Sequence, residues 1–466
     1  MLNYTKITPE IVLALEKIVG EKYVSTKEEI LDQYKTDEET NPSHFVMPEA
    51  VVKPANAEEI SAVVKLANEA HFPITVRSAG TSLSDGAIPV KGGVVLLMER
   101  LHKIIKLDED AMYMEVEAGV TTKEIQELAN SKNLFYAGDP SSADSCTIGG
   151  NIATNAGGSK AVRYGSTREQ VYSIEAVMPT GTIVELGARL KKKSTGYCLE
   201  QLIMGSEGTL GIITKATLKL KPLQPYRFDL LAIFTDVKLA TATVQKILKQ
   251  GVDPTSVEFM DNGFVRSTND FCHTQLPHYE DGSYIIVTIE SMTEDDLNAK
   301  MEQLDDICTA NGAVEVAEAD ERAWKLRRSC QESLRLVSPV NTTDDVVVPV
   351  DKVAACIDFV MEKSAHYPFK VLTLAHAGDG NLHFCACRGA LAEQIWEVEL
   401  EKFHNEVYKY AYEIGGRLSG EHGIGAKKIR EMATFTNPQE LAVMKTIKKA
   451  LDPLNILNPG KLLDIS

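Results

Sequence analysis

Apolar and polar residues alternate along this chain in patterns that predict helices and strands in turn. The clearest helix follows Asn56, which with Glu59 forms an Asn variant of the capping box. Its predicted buried stripe has the spacing of one helical face and consists of Ile60, Val63, Val64 and Ala67. Strand-like segments lie on both sides of this helix, so the pattern predicts an α/β or α+β fold.

The same alternation extends over most of the chain. Before two prolines, Pro222 and Pro225, the pattern predicts strands at 46–52, 74–76, 94–98, 113–116, 173–179, 183–186 and 211–221, and helices at 10–19 and 122–130. After them it predicts strands at 230–234, 284–290, 346–350, 371–374 and 382–387, and helices at 240–250, 293–311, 352–364, 392–414 and 438–451. Because the prolines mark a domain boundary, we expect these parts: 1–222 with an N-terminal extension at 1–42, then 223–415, then 416–466.

Three glycine-rich segments interrupt the first predicted domain, at 77–86, 147–158 and 205–213. The first segment offers successive backbone N–H groups that can cradle a pyrophosphate, although an ordinary turn-rich loop has the same composition. Ordering glycine costs entropy, so three such segments indicate that the backbone approaches a large flat ligand closely. A long loop is also predicted at 138–167. The sequence has no G-x-G-x-x-G fingerprint and no P-loop, which argues against a Rossmann fold and against phosphoryl transfer.

A hairpin pattern near residue 380 brings two of the ten histidines together. Asp379-Gly380 is a favoured two-residue turn and has apolar residues on both sides. With that turn His376 faces His383, and directly opposed Cβ atoms lie about 4.5–5.5 Å apart. Two imidazoles at this separation suit a divalent metal.

A second segment, Gly-Glu-His-Gly-Ile-Gly at 420–425, places a carboxylate and a third histidine among glycines, which is poor material for a hydrophobic core. Glu421 or His422 could complete the ligands of the metal. The alternative interpretation of both segments is a glycine-rich turn with hydrogen-bonded histidines. A His2Glu set suits zinc, manganese, iron(II) or cobalt without a decisive preference.

Charge and composition narrow the possible partners. The formal net charge of −17 argues against nucleic acid, which needs a basic surface, and gives no support to adsorption on anionic membranes. Eight cysteines occur without a C-x-x-C pair, so we expect no iron–sulfur ligation. No apolar run reaches the ~18–20 residues of a membrane span, and the N-terminus lacks a signal-peptide core. We therefore expect reduced thiols and a cytoplasmic location.

The glycine-rich segments carry long motifs that closely resemble the FAD-binding domain of the vanillyl-alcohol-oxidase superfamily. These are the 77–86 loop, the T-I-G-G-N-x-A-T-N-A-G-G run at 147–158, Tyr-Gly at 164–165 and G-S-E-G-T-L-G-I-I at 205–213. The two histidine segments and Asn-Pro-Gly-Lys at 458–461 are similar to its glycolate-oxidase-subunit-D and D-lactate dehydrogenase branch. The resemblance implies an α+β fold with a two-part FAD-binding domain, an α+β substrate (cap) domain with an antiparallel sheet, and a C-terminal segment that returns to the FAD domain.

The resemblance also implies roles for individual residues. FAD would be bound non-covalently, because Thr81 stands where some members carry the histidine that attaches to flavin. The residues expected at the cofactor are Arg77, Ser78, Ala79, Gly80, Thr81, Ser82, Leu83, Pro140, Ser142, Thr147, Gly149, Gly150, Asn151, Ala153, Thr154, Gly157, Tyr164, Glu207, Gly208, Gly211, Ile212, Ile213 and Asn458. One divalent metal (zinc, manganese or iron) would be held by His376, His383 and Glu421. His422 would be the catalytic base, and Arg327 would hold the substrate carboxylate; the alternative for Arg327 is an exposed, salt-bridged arginine.

These roles predict an FAD-dependent D-2-hydroxy-acid dehydrogenase, with D-lactate as the first substrate and glycolate or D-2-hydroxyglutarate as alternatives. Since the sequence shows neither iron–sulfur ligands nor a nicotinamide fingerprint, the electrons would pass to another molecule. We expect a protein acceptor, for example electron-transferring flavoprotein. Two other functions stay open: an oxidase on the same fold that uses oxygen, and a flavoprotein subunit that relays electrons without its own substrate.

Overall fold

Two compact units make up the chain in a computed structural model that describes residues 4–38 and 41–465. The chain returns from unit 2 to unit 1 at the peptide bond between Glu421 and His422. Residues 1–3 and 39–40 lie outside the described residues. The predicted N-terminal extension includes both of these ranges, and the N-terminus considered for a signal peptide includes residues 1–3. Unit 1 contains the residues up to Ala156, Ser166–Leu223 and the residues from His422 onward, and unit 2 contains Gly157–Gly165 and Gln224–Glu421.

Helices and strands are mixed along the chain. The strands are β1 (Val24–Ser25), β2 (Ala50–Val52), β3 (Ile74–Arg77), β4 (Val94–Leu97), β5 (Ile104–Asp108), β6 (Tyr113–Glu117), β7 (Leu134–Phe135), β8 (Val171–Val177), β9 (Ile183–Gly187), β10 (Ile212–Lys219), β11 (Lys221–Pro222), β12 (Tyr226–Phe234), β13 (Ser256–Met260), β14 (Ser283–Ser291), β15 (Glu315–Glu318), β16 (Asn341–Val347), β17 (Lys370–His376) and β18 (Asn381–Cys387). The helices are α1 (Pro9–Val19), α2 (Glu28–Leu31), α3 (Ala57–Ala70), α4 (Thr122–Asn130), α5 (Ile148–Thr154), α6 (Ala161–Tyr164), α7 (Leu199–Ile203), α8 (Val237–Lys249), α9 (Asn262–Cys272), α10 (Glu294–Ala310), α11 (Glu321–Arg328), α12 (Cys330–Val337), α13 (Val353–Ser364), α14 (Glu393–Glu413), α15 (Ile429–Phe435) and α16 (Pro438–Leu451). Within the described ranges, none of these helices combines the length and apolar character needed to cross a membrane.

The first sheet of unit 1 has the strand order β1-β2-β4-β3, in which β4 pairs parallel with both β2 and β3. Helix α3 begins as predicted, because the Asn56 side chain accepts a hydrogen bond from the Glu59 N–H at 2.8 Å. The Glu59 carboxylate accepts from the Ala55 N–H instead of closing the box on Asn56. The predicted apolar stripe of α3 is fully buried and shares one core with β2 and β4.

The second sheet of unit 1 is antiparallel, with the order β5-β6-β10-β8-β9. The segment 138–167, predicted as a loop, contains helix α5, and this part of the prediction was wrong. A seven-residue helix with two glycines has too little apolar periodicity to be recognised from sequence. Its glycines serve close packing: a Cβ on Gly149 would lie 2.6 Å from the Cβ of Ala118.

Unit 2 is built on an antiparallel sheet of seven strands, in the order β15-β12-β14-β13-β17-β18-β16. This arrangement confirms the predicted α+β class with an antiparallel sheet in the second part of the chain. β16 lies at Asn341–Val347 and not at the predicted 346–350. The strand ends before Pro349, which has no N–H to donate to a neighbouring strand.

Gly149→Ala should destabilise the protein, because the new methyl group would overlap Ala118; overpacking of this kind costs roughly 1–3 kcal/mol. Gly150→Ala, one residue further along α5, is the matched control, since its Cβ would lie 3.4 Å from Ser78. There alanine also gains helix propensity. Chemical denaturation of both variants measures the difference, and equal denaturation midpoints would contradict the close approach at Gly149.

Candidate metal site and cofactor site

The β17–β18 hairpin carries the two predicted histidine ligands. Its loop is the four residues 377–380, so the predicted two-residue turn was wrong, and His376 pairs with Asn381 instead of His383. The N–H groups of Asp379 and Gly380 both donate to the His376 carbonyl, which closes the longer turn. The register differs from the prediction by two residues, and side chains alternate between faces with period two. Both imidazoles therefore still lie on one face, with ring centroids 5.4 Å apart.

Three donor groups converge beside this hairpin. The ligand atoms of His376, His383 and Glu421 all lie within 4.8 Å of one another. Glu421 Oε1 is 3.4 Å from His376 Nε2 and 3.2 Å from His383 Nε2. Burial would raise the pKa of Glu421, but the two histidines lower it well below its usual range. An ionised carboxylate and two imidazole nitrogens form a donor set that suits a divalent metal.

A residue that the sequence interpretation missed, Glu258 on β13, connects this cluster to Arg327. Glu258 Oε1 lies 2.8 Å from His376 Nδ1, and Glu258 Oε2 lies 2.6 Å from Arg327 Nη2. Burial would raise the pKa of the Glu258 carboxyl, but His376 and Arg327 lower it. The available signal was an ionisable residue inside the short apolar run Ser-Val-Glu-Phe-Met at 256–260.

Arg327, on α11, is paired but not exposed, which differs from the exposed alternative considered from sequence. Its residue exposure is 8%; its Nε donates to Glu258 Oε2, and its Nη2 forms an ion pair with the same oxygen. No described residue accepts a hydrogen bond from Nη1. The two N–H groups of Nη1 are therefore available to donate to a bound anion.

Two neighbours determine where the Glu421 carboxylate lies. Asp345 Oδ2 accepts hydrogen bonds from the backbone N–H groups of Gly420 and Glu421, at 2.8 and 3.0 Å, and from the Ser419 hydroxyl at 2.9 Å. Gly157 leaves space on the other side, because a Cβ there would lie 2.7 Å from Glu421 Oε2. The second glycine-rich segment thus ends against a predicted metal ligand.

Within unit 1 the three glycine-rich segments are brought together. Asn458 connects the third segment to the strand that leads into the first. Its Nδ2 donates to the Glu207 carbonyl at 2.6 Å, and its Oδ1 accepts from the N–H of Val76, one residue before the first segment, at 2.9 Å. The remaining segment approaches through Gly150, whose Cβ position lies 3.4 Å from Ser78. Residues that are distant in sequence thus surround one region of unit 1.

A cavity of about 280 Å³ opens in this region of unit 1. Its lining includes three residues of the first glycine-rich loop, Arg77, Ser78 and Ala79, together with Thr147 and Tyr34. Among the described residues the buried Thr147 hydroxyl has no hydrogen-bond partner. A buried polar group of this kind normally has a partner, so the cavity suits a ligand with polar groups.

The loop that begins with His422 is held within unit 1 by two side chains. The Ser84 hydroxyl donates to the His422 carbonyl at 2.9 Å. The Glu207 carboxylate accepts from the N–H groups of Ile424 and Gly425, at 2.8 and 2.7 Å. Glu207, predicted at the cofactor, therefore directs its carboxylate at this loop. Burial raises the pKa of that carboxyl.

Two predicted cofactor residues lie in unit 2, whereas the others lie in unit 1. Gly157 is beside Glu421, as described above. The Tyr164 hydroxyl donates to Glu290 Oε2 at 3.3 Å. Asn151 lies in unit 1 and donates from Nδ2 to the Thr122 hydroxyl at 2.7 Å, which ties α5 to α4.

Family models match both parts of the chain. The model for the C-terminal domain of FAD linked oxidases matches residues 225–462, and the model for an FAD binding domain matches residues 48–187. A solved structure of p-cresol methylhydroxylase with substrate bound has a TM-score of 0.81, covers 97% of this chain and 95% of that chain, and is 17% identical in sequence. That likeness shows a shared fold.

Curated relatives are similar over nearly their whole length. The chain is 36% identical over 470 residues to a D-lactate dehydrogenase of Anaerostipes hadrus, and the aligned residues cover 99% of this chain and 98% of the relative. It is 35% identical over 429 residues to glycolate oxidase subunit GlcD of Bacillus subtilis, and the aligned residues cover 91% of this chain and 91% of that relative. These similarities confirm the predicted FAD-binding domain and the predicted branch.

Gly157→Ala should lower the affinity for a divalent metal, because the added methyl group would displace the Glu421 carboxylate. His376→Ala, which removes a ligand outright, gives the scale of the effect, and Gly150→Ala in unit 1 is the control. Competition for Zn²⁺ between each variant and a chromophoric chelator measures the affinity. Wild-type affinity in Gly157→Ala would show that Glu421 does not depend on the space left by this glycine.

Proposed function

This chain belongs to the FAD-linked oxidases of the D-lactate dehydrogenase and GlcD type, and from that membership we propose that it oxidises a D-2-hydroxy acid, first of all D-lactate, to the 2-oxo acid. The observation that carries the proposal is the convergence of His376, His383 and Glu421 beside the buried Arg327. That combination supplies a metal-type donor set and a cation for a carboxylate. The metal would be zinc, manganese or iron, since the donors do not select among them.

The residues present fit both groups that this function requires. The cavity lined by residues 77–79 and by Thr147, whose buried hydroxyl has no hydrogen-bond partner among the described residues, suits the polar parts of FAD. Thr81 stands at the position discussed above for a covalent link, so we propose that FAD is held non-covalently. When bound, FAD supplies the hydride acceptor and the divalent metal supplies a Lewis acid.

Arg327 and the donor set can recognise a 2-hydroxy acid by its two oxygen-bearing groups. Arg327 Nη1 is available to donate to the substrate carboxylate, since Nε and Nη2 are used by Glu258. The carboxylate and the hydroxyl of a 2-hydroxy acid are spaced to chelate the ion that His376, His383 and Glu421 would hold. Burial of these side chains strengthens the interactions by excluding water.

We assign the proton transfer to His422. It follows the ligand Glu421 directly in the chain, and consecutive Cα atoms are about 3.8 Å apart. Ser84 and Glu207 hold the backbone of its loop, so the position of His422 does not rely on its own side chain. An imidazole is suited to removing the proton of an activated hydroxyl near neutral pH.

The electrons would then leave the protein for a protein acceptor, for example electron-transferring flavoprotein. The absence of a C-x-x-C motif from the sequence supports an external acceptor. The eight cysteines are free thiols in the structure, which is compatible with the cytoplasmic location that we propose.

An anaerobic reduction screen tests this function. The purified protein with bound FAD is mixed with D-lactate, L-lactate, glycolate and D-2-hydroxyglutarate, and the loss of flavin absorbance is followed. We expect fast bleaching by D-lactate and slow or no bleaching by L-lactate. Failure of every D-2-hydroxy acid to reduce the flavin would refute the dehydrogenase, and rapid reoxidation by air alone would identify an oxidase.

His422→Ala should keep FAD and metal but reduce the flavin at least about 100-fold more slowly, the usual contribution of a general base. His366→Ala, which removes an exposed histidine of unit 2, is the matched control and should behave like the wild type. Single-turnover flavin reduction measures both. A near-normal rate in His422→Ala would exclude His422 as the base.

A further inference from the structure

We infer that Glu258 is a positioning residue that couples the metal ligand His376 to the anion-binding Arg327, so that one buried carboxylate orients both. The inference rests on the proposed function for the roles of those two partners. Glu258 itself touches neither substrate nor metal in this scheme and acts through its neighbours.

The backbone places Glu258 for this task. In the sheet of unit 2, β13 and β17 are antiparallel neighbours, and Glu258 is the direct Cα partner of His376. Arg327 reaches the same carboxylate from helix α11. Glu258 on β13 therefore contacts one partner on strand β17 and the other on helix α11. All three residues lie on regular elements and not in loops.

Each carboxylate oxygen has a separate partner. Oε1 faces His376 Nδ1 at 2.8 Å, which leaves Nε2 directed at Glu421. A proton held on Nδ1 in this way keeps the Nε2 lone pair for a metal. Oε2 accepts a hydrogen bond from Arg327 Nε at 2.8 Å and forms an ion pair with Nη2 at 2.6 Å, which leaves Nη1 for a carboxylate. The contacts with Glu258 thus leave His376 Nε2 for a metal and Arg327 Nη1 for a substrate carboxylate.

Water cannot substitute for this carboxylate, because the Glu258 side chain is 1% exposed and the Arg327 side chain is 9% exposed. A buried guanidinium without its partner is strongly unfavourable and would move towards another anion. One such anion is Glu421, whose charge already acts on Arg327. Loss of Glu258 would therefore disturb the metal donors from two sides.

Glu258→Gln is the decisive variant. The amide can accept through its oxygen from only one partner, while its NH2 group faces the other donor. We expect the affinity for Zn²⁺, measured by chelator competition on the FAD-loaded protein, to fall about 10- to 100-fold, the range found when a residue that orients a ligand is changed. Glu175→Gln is the matched control, since the Glu175 carboxylate is also shared by a cation and a second donor, Lys215 and Thr214, but lies in unit 1.

A double-mutant cycle with Arg327→Met tests the coupling itself. Arg327→Met should alter the Zn²⁺ affinity several-fold when Glu258 is present and leave it unchanged in the Glu258→Gln background. For D-lactate at saturating metal, Glu258→Gln should raise KM more than it lowers kcat, because Arg327 is no longer held. Additive effects on the Zn²⁺ affinity would overturn the coupling.

Thermal denaturation separates misfolding from the proposed role. If Glu258→Gln does not fold, Glu258→Asp replaces it: the charge stays, but the shorter side chain can reach only one partner, so a fall in Zn²⁺ affinity is again expected. Wild-type Zn²⁺ affinity in a folded Glu258 variant overturns the inference. If no hydroxy acid reduces the flavin but the cycle is non-additive, the proposed substrate is wrong and the coupling stands.

Discussion

The pairing of buried charges in unit 2 is the constraint on which the candidate metal site depends. Arg327, Glu258, His376 and Glu421 follow one another in a series of ion pairs and hydrogen bonds. Taking one such charge out of water costs several kcal/mol unless a partner compensates it. Each group is therefore held in place by its neighbours, and the series ends in the donor atoms that a metal would use. A core made for stability alone would not need this arrangement, which is why the series indicates a site.

In unit 1 the candidate cofactor site is formed mainly by backbone and small side chains. Its candidate cofactor cavity is lined by residues 77–79 of the first glycine-rich loop, by Thr147 at the start of α5 and by Tyr34. The Asn458 side chain makes two hydrogen bonds to backbone groups, one to the Val76 N–H and one to the Glu207 carbonyl. Close approach requires glycine at Gly149, where any side chain would meet Ala118. The residues that line this cavity include the hydroxyl-bearing Ser78 and Thr147 and the charged Arg77 and Glu99, which can bind the polar groups of a ligand.

The hairpin shows how far local pattern reaches. The alternation of apolar residues identified both strands and the face shared by His376 and His383, because side-chain direction has period two. The turn length could not be read in the same way, because Asp379 and Gly380 both donate to the His376 carbonyl in a longer loop. A register that differs by two residues preserves the face, so both candidate ligands still lie on one face although their predicted pairing was wrong. Helix α5 was missed because its glycines are needed for close packing and give the segment no apolar periodicity that would indicate a helix.

By itself the sequence indicated many of the strands and helices, the stripe of α3, the glycine-rich segments and the candidate donors, because these follow from local periodicity and residue chemistry. The family resemblance then extended these to FAD and a hydroxy acid. The sequence did not indicate β13, the strand that carries Glu258. Only the tertiary structure decided that Glu258 stands between His376 and Arg327, that Asp345 holds the backbone of Glu421, and that Gly157 leaves room for its carboxylate. These contacts join residues many positions apart. They depend on which strands pair and at what register, and that is a property of the whole sheet that no local segment encodes.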